Sequence, residues 1–270
     1  MGKRIGLIAG NGQFPIIFTK AARKEGYEVI AVAHIGETEP SLENYVNEIE
    51  WIRVGQLGRL IKFFKKKNIK ELVFVGGIKK KKLFSNIFPD LKALTLLARL
   101  RHKHDDAALR AVADELEREG FIVCPSTLFV PSLLAEEGCL TNRKPTKEEK
   151  KDIEFGWQMA KAIGKLDIGQ CVVVKRQVVV AVEAVEGTDE TIKRGGRLAK
   201  EGAVVVKVSK PNQDLRFDVP AVGKGTIETM MHVKAKVLAI EAKRTLIFDK
   251  ERMVSLANEA DISIVSLKKS

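Results

Sequence analysis

Arg4-Ile5-Gly6-Leu7-Ile8-Ala9-Gly10-Asn11-Gly12-Gln13-Phe14-Pro15 stands almost at the start of the chain and sets out a strand, a glycine turn and the beginning of a helix. The apolar run Ile5 to Ala9 suits a strand buried on both faces, and Phe14 to Glu25 continues with helical spacing. Between them two glycines allow a tight turn. In that position backbone N–H groups and a helix N-terminus can approach a phosphate, so the turn is either a nucleotide or sugar contact or simply a structural device. Further along the chain, Glu28 to Ala33, Glu71 to Val75 and Phe121 to Cys124 read as buried strands too. Gln56 to Lys67 and Asp106 to Glu119 read as helices, and this alternation implies a parallel sheet with helical crossovers. The dinucleotide fingerprint is incomplete: its third glycine position holds Pro15, and the second strand ends in Val32-Ala33-His34 with no acid to hold a ribose. A nicotinamide cofactor is therefore disfavoured.

Lys79 to Lys103 fits less neatly. Four lysines, Lys79 to Lys82, lead into Leu83-Phe84, Ile87-Phe88 and a leucine-rich Leu91 to Leu100, which reads as an insertion with amphipathic helices. After Pro125 the text changes, and Arg143 to Lys150 is charged enough for an exposed connection. Beyond it come a helix around Lys151 to Ile163, strands around Gln170 to Lys175 and Gln177 to Glu183, and a helix around Asp189 to Glu201 that Thr188 can cap. Strands at Ala203 to Ser209, Val233 to Ala242, Thr245 to Phe248 and Ile262 to Leu267 complete a mixed α/β pattern. The expectation is an α/β protein of two mixed α/β domains. Residues 1–133 form a Rossmann-like domain with a parallel sheet, and residues 134–270 a mixed α/β catalytic domain.

The 270 residues carry 47 Lys and Arg against 35 Asp and Glu, a net charge of +12, which draws polyanions, phosphorylated ligands or an anionic membrane surface. With only 6% aromatic residues and no nucleic-acid-reading motif, a nucleic acid partner is not expected. No apolar run approaches the roughly 20 residues of a spanning helix, and the N-terminus lacks a secretory signal, so the cytoplasm is expected. Cys124, Cys139 and Cys171 stand singly, without zinc-ligand spacing. GxSxG, Walker A and HExxH patterns are absent, which removes serine-hydrolase, P-loop and zinc-hydrolase chemistry.

Two acids, Asp105-Asp106, open a helix, where they either cap it or hold a divalent cation with several waters. Glu186-Gly187-Thr188-Asp189 opens another, leaving Glu186 and Asp189 free beside the Thr188 cap. The segment Lys210-Pro211-Asn212-Gln213-Asp214-Leu215-Arg216-Phe217-Asp218-Val219-Pro220-Ala221-Val222-Gly223 is dense in groups that meet phosphate or metal. Arg216, bracketed by Asp214 and Asp218, either orients one of them, grips an anion with its fork, or staples the loop.

Taken in order, GNGxxP at Gly10 to Pro15, VGG at Val75 to Gly77, Asp105-Asp106, Gly169-Gln170, EGTD at Glu186 to Asp189 and KPxQDxRxDxPxxG at Lys210 to Gly223 resemble the UDP-2,3-diacylglucosamine pyrophosphatases of the LpxI type. The likeness spans nearly the whole chain, and its last two motifs are the specific ones. One departure is His104, where that family commonly has glycine before the acid pair. The resemblance implies magnesium-dependent hydrolysis of a lipid-linked UDP-sugar to UMP and 2,3-diacylglucosamine 1-phosphate, a step of lipid A synthesis. With that chemistry in view, the residues themselves nominate Asp218, Asp214, Arg216 and Lys210 as the catalytic set, with Mg²⁺ held among Asp218, Asp214, Asp189, Asp105 and Asp106. Substrate contacts then fall to Gly10, Asn11, Gly12, Gln13, Gly76, Gly77, Gln170, Glu186, Gly187, Thr188, Asn212 and Gln213, and apolar residues receive the acyl chains. A protein of this kind is expected at the inner face of the inner membrane, in transient contact with an anionic surface through Lys79 to Phe88, and a homodimer is compatible with the sequence. The alternative on the residues alone is a nucleotide- or dinucleotide-binding enzyme with a soluble substrate.

Overall fold

The computed structural model describes residues 2–78, 88–99 and 105–268. It divides into two compact units, one of Met1–Pro131 with Asp214–Asp218, the other of Ser132–Gln213 with Val219–Ser270.

In the first unit β1 (Lys3–Ala9), β2 (Tyr27–His34), β3 (Glu48–Ile52), β4 (Glu71–Val75) and β5 (Ile122–Cys124) form one sheet in the order β3-β2-β1-β4-β5. Every pairing is parallel. The sheet alternates two cores through its pleat. Ile5, Leu7 and Ala9 face one side with Val29, Val73 and the α1 (Phe14–Lys24) residues Ile16, Phe18 and Ala22. Ile8, Ile30, Val32, Leu72 and Phe74 face the other, under Leu60, Ile61 and Phe64 of α2 (Leu57–Lys66). Ala93 and Leu96 of α3 (Leu91–Arg99) and Leu116 of α4 (Asp105–Arg118) complete that side. Burial on both faces is why these strands read as unbroken apolar runs. The strand order is that of a doubly wound, Rossmann-like sheet.

The expected split into consecutive halves at 133/134 differs from these units in one respect. Asp214–Asp218 lies far along the second half, yet it packs with the first unit. Phe217 holds it there, buried in the α2 core with its ring centroid 5.7 Å from that of Phe74.

The second unit is built on a six-stranded mixed sheet, with β6 (Gly138–Cys139), β7 (Cys171–Lys175), β8 (Val178–Val182), β9 (Val204–Lys207), β11 (Val237–Glu241) and β13 (Ser263–Leu267) in the order β6-β13-β11-β9-β7-β8. Strands β9, β11 and β13 run parallel, whereas β6 and β7 oppose their neighbours and β8 returns from β7. A small parallel pair, β10 (Ala221–Val222) and β12 (Leu246–Ile247), stands apart. One sheet face meets Ile153, Trp157 and Ala160 of α5 (Lys147–Lys165). The other meets Ile192 of α6 (Thr188–Ala199), Ile227 and Met230 of α7 (Lys224–His232), and Met253 of α8 (Lys250–Glu259).

Two expectations change here. Part of the charged stretch 143–150 is not a connection: α5 begins at Lys147, capped by Thr146, whose side chain accepts from Glu149 N while the Glu149 carboxylate accepts from Thr146 N. The expected strand Val233 to Ala242 is shorter, because α7 runs to His232 and a left-handed Lys234 turns the chain before β11.

Candidate functional site

The first unit ends its central strands in a crossed pair of glycine turns. β1 and β4 are neighbours from which the sheet winds in opposite directions, and in open α/β sheets ligands bind outside the carboxyl ends of strands at such a switch point. Gly10 N donates to Val75 O at 2.8 Å and Asn11 N to Gly77 O at 2.7 Å, so the structure brings Gly10 and Asn11 together with Gly76 and Gly77. A Cβ at Gly10 would stand 2.3 Å from Gly77 O, which is why the turns approach so closely only with glycine there. Gly12 lies just beyond, at φ +80 with nothing within 4 Å of a Cβ. Gln13 occupies the N-cap of α1 without a side-chain cap, so that helix start is closed by no side chain of its own.

Around this turn is a buried polar cluster that the sequence reading missed. His34 Nδ1 donates to Ala9 O at 3.0 Å and Thr38 Oγ1 donates to the same oxygen at 2.7 Å. Burial pushes the His34 pKa down, outweighing the Ala9 hydrogen bond and the nearby Glu37 carboxylate, so the ring is neutral and carries its proton on Nδ1. Glu37 is 7% exposed and accepts from Asn11 Nδ2 at 3.4 Å. The acid absent from the end of β2 is supplied by a turn three residues later. The visible signal was only a glutamate following Gly36.

Asp214–Asp218 forms a single turn, with Phe217 N and Asp218 N both donating to Asp214 O. The Asp214 carboxylate accepts from Arg216 Nε at 3.1 Å, Arg216 Nη2 at 2.7 Å and Arg216 N at 3.0 Å. That fork holds the Asp214 carboxyl below the usual carboxylate range, and Asp214 in turn raises the Arg216 pKa. Arg216 Nη1 donates to Glu117 at 2.7 Å, so the guanidinium is gripped from two sides, and its backbone O accepts from Ser126 N. Asp218 is half-buried, next to the anchored Phe217. Asp105 and Asp106 begin α4; of these two only the backbone belongs to the described part.

In the second unit the remaining motifs gather at the edge where β9 and β11 end. Glu183, 7% exposed, accepts from Gln170 N at 3.0 Å and from Thr188 Oγ1 at 2.8 Å, and so ties Gln170 to Thr188. Thr188 therefore does not cap α6 as expected: its hydroxyl is spent on Glu183, and Gly187 at φ +86 is the N-cap. The Glu186 carboxyl is lowered by its own backbone N–H and by Arg194, which donates to it at 2.7 Å. Asp189 is exposed in the first turn of α6. Lys210 is buried, its Nζ 2.5 Å from Asp167. Gln213 Oε1 accepts from Lys210 N and Ser209 Oγ, fixing the loop start, while Asn212 is exposed. Sequence reading missed three buried charges here: Lys207, whose Nζ donates to Ala221 O at 2.8 Å, Glu183, and Glu241, paired with Lys161 at 2.7 Å. Each lies inside a strand or next to one, where the pattern reads as core. Among the described residues no group of three or more His, Cys, Asp or Glu is gathered as for a metal ion.

Comparison with known proteins divides the chain into two consecutive parts. The LpxI N-terminal domain model matches residues 4–133 and the LpxI C-terminal domain model residues 136–265. The chain belongs to the LpxI family. A curated member, UDP-2,3-diacylglucosamine pyrophosphatase LpxI of Caulobacter vibrioides, is 30% identical over 276 residues, covering 98% of each chain. Among solved structures the likeness is slight. N5-carboxyaminoimidazole ribonucleotide synthetase in its ADP complex aligns at a TM-score of 0.29 and 14% identity, over 64% of this chain and 32% of that one. The biotin carboxylase domain dimer of the Hydrogenobacter thermophilus 2-oxoglutarate carboxylase aligns at 0.28 and 14%, over 74% and 41%.

Proposed function

We propose that this LpxI-family chain hydrolyses the pyrophosphate bond of UDP-2,3-diacylglucosamine, releasing UMP and 2,3-diacylglucosamine 1-phosphate, with Mg²⁺ as cofactor. The observation that carries the reading is the full-length likeness to a pyrophosphatase of that name. The glycine turn at the switch point supports it, being a place where a nucleotide fits.

Breaking a P–O–P bond asks for neutralised oxygens and a water aimed in line. In this reading Asp218 is the central carboxylate, on a turn held still by the neighbouring buried Phe217. It accepts the proton of the attacking water or contributes one carboxylate to the metal. Magnesium keeps several waters and takes one or two protein carboxylates together with substrate phosphate oxygens, so one carboxylate such as that of Asp218 is enough for it. Bound there, it would neutralise charge on the phosphates. Asp214 fits that role less well, because both its oxygens already face the Arg216 fork. Its part is to aim Arg216. Arg216, gripped by Asp214 and Glu117, meets phosphate with its remaining N–H donors, and Lys210, paired with Asp167, is the second cation of the reading.

A two-chain lipid substrate places the reaction at a membrane surface. Among the described residues no helix is long and apolar enough to cross a membrane, so the proposal is a peripheral contact with anionic lipid. Lys79 to Lys82, Leu83, Phe84 and Ile87, which the sequence nominates, lie outside the described residues; Phe88 is 49% exposed beneath Arg53.

The test is incubation of purified protein with UDP-2,3-diacylglucosamine and Mg²⁺, with and without excess chelator, followed by analysis for UMP. UMP released only in the presence of divalent cation is the expected result. Release that continues undiminished in chelator removes magnesium from the reading, and no release removes the reaction.

A further inference from the structure

The Asn11 side chain lies over Gly77 with its oxygen and nitrogen 3.8 and 4.0 Å from where a Gly77 Cβ would stand, and its Nδ2 faces Glu37. A carboxylate is an acceptor only, so it admits just one orientation of that amide. The flipped orientation would set Oδ1 against the carboxylate with no proton between them. Behind the pair, His34 and Thr38 both donate to Ala9 O, fixing the last residue of β1 and hence the start of the Gly10–Asn11 turn. The whole cluster is buried: His34, Glu37 and Thr38 are each at most 7% exposed. It stands at the switch point, where an open α/β sheet takes its ligand. A buried carboxylate repels phosphate, so this end of the crevice suits a neutral part of a nucleotide. An amide turned with Oδ1 away from Glu37 asks that part for a hydrogen-bond donor.

We propose that Glu37 is a positioning residue for base recognition: it locks the Asn11 amide so that Oδ1 accepts from the imide N–H of a uracil ring. This rests on the reading of the substrate as a UDP-sugar. Uracil carries a proton on N3 and cytosine does not, so a locked acceptor favours uridine nucleotides over cytidine ones. A freed amide can turn over and serve either base.

The experiment is calorimetric titration of the full chain with UMP and with CMP, for the parent, Glu37→Leu, Glu37→Gln, Asn11→Ala and the Asn11→Ala/Glu37→Leu double variant. The parent should prefer UMP by about tenfold or more, on the scale of one hydrogen bond against one unpaired acceptor. Glu37→Leu should bring the preference within about threefold, mainly by weakening UMP. Glu37→Gln, whose side-chain oxygen can accept the same bond, should keep most of it. Asn11→Ala should abolish it, and Glu37→Leu should then add nothing. Full discrimination in Glu37→Leu, or an undiminished effect of Glu37→Leu on top of Asn11→Ala, overturns the inference. Should Glu37→Leu fail to fold, an unchanged UMP-to-CMP ratio in Asn11→Ala overturns it instead. A parent that releases UMP from the lipid substrate but binds UMP and CMP equally overturns this inference alone. One that neither binds UMP nor turns over the substrate overturns the underlying reading with it.

Discussion

Two glycines of one turn should fail for different reasons when replaced by alanine, and the difference tests the geometry of the switch point. At Gly10 the added Cβ would stand 2.3 Å from Gly77 O, 2.6 Å from Gly76 C and 2.7 Å from Gly76 O. All three are backbone atoms, so no flexible side-chain end can move aside. Ordinary contact begins at 3.4 Å, which requires the two turns to part by about 1.1 Å. That movement breaks both bonds across them, Gly10 N to Val75 O and Asn11 N to Gly77 O. Two lost hydrogen bonds at about 0.5–1.5 kcal/mol each, with about 1–3 kcal/mol of overpacking, put Gly10→Ala at roughly 2–6 kcal/mol. Gly12 has φ +80 and open space, so Gly12→Ala meets only the left-handed backbone penalty, about 1–2 kcal/mol. Differential scanning calorimetry at fixed pH should therefore show Tm lowered by on the order of 10 °C for Gly10→Ala and by a few degrees for Gly12→Ala. Gly10→Ala melting within 2 °C of the parent, or Gly12→Ala proving the more damaging of the two, would refute the close crossing of the turns.

Further outcomes follow from single groups. Asp218→Asn should fold and bind substrate yet lose about a hundredfold or more in kcat, as when a positioned acid–base group is removed; near-normal kcat with a crippled Asp214→Asn would exchange their roles. His34 is held neutral by burial, its folded pKa below the unfolded 6.5, so the unfolded chain takes up a proton that the folded one refuses. Stability is thus fully present above pH 6.5 and lost as pH falls toward the folded pKa, at up to about 1.4 kcal/mol per pH unit from this group; urea midpoints that stay level just below pH 6.5, or that fall equally in His34→Gln, would contradict this. Replacing Lys79, Lys80, Lys81 and Lys82 by Gln should weaken sedimentation with anionic liposomes at low salt, since each lysine contributes roughly 1 kcal/mol there, and equal binding would move the contact elsewhere on the surface.

What the sequence made legible divides along a physical line. β1, β2 and β4 were visible because both their faces are buried, which forces unbroken apolar text; β3 was not, because Glu48-Ile49-Glu50-Trp51-Ile52 is a half-exposed edge strand carrying two glutamates. The start of α5 was misplaced for a related reason. Its first turn is solvent-facing Lys147-Glu148-Glu149-Lys150, and composition alone reads that as a connection, although Thr146 and Glu149 at capping-box spacing gave the true boundary.

The site divides in the same way. Asp214 and Arg216 are two residues apart, so their pairing is local and a short motif reveals it. Lys207, Glu183 and Glu37 act through partners across strands or turns, and no spacing along the chain announces them. Asp214–Asp218 is the sharpest case. A linear reading assigns it to the second half by position, whereas Phe217 finds its burial against Phe74 and Arg216 its carboxylate on Glu117, both in the first unit. One aromatic side chain and one ion pair thus fix the Asp214–Asp218 turn in the first unit, although the flanking residues Gln213 and Val219 group with the other. The residue on which the proposed chemistry depends is therefore placed by contacts with residues far upstream of it, and mutations at Phe74 or Glu117 should reach Asp218 without touching any motif that nominated it.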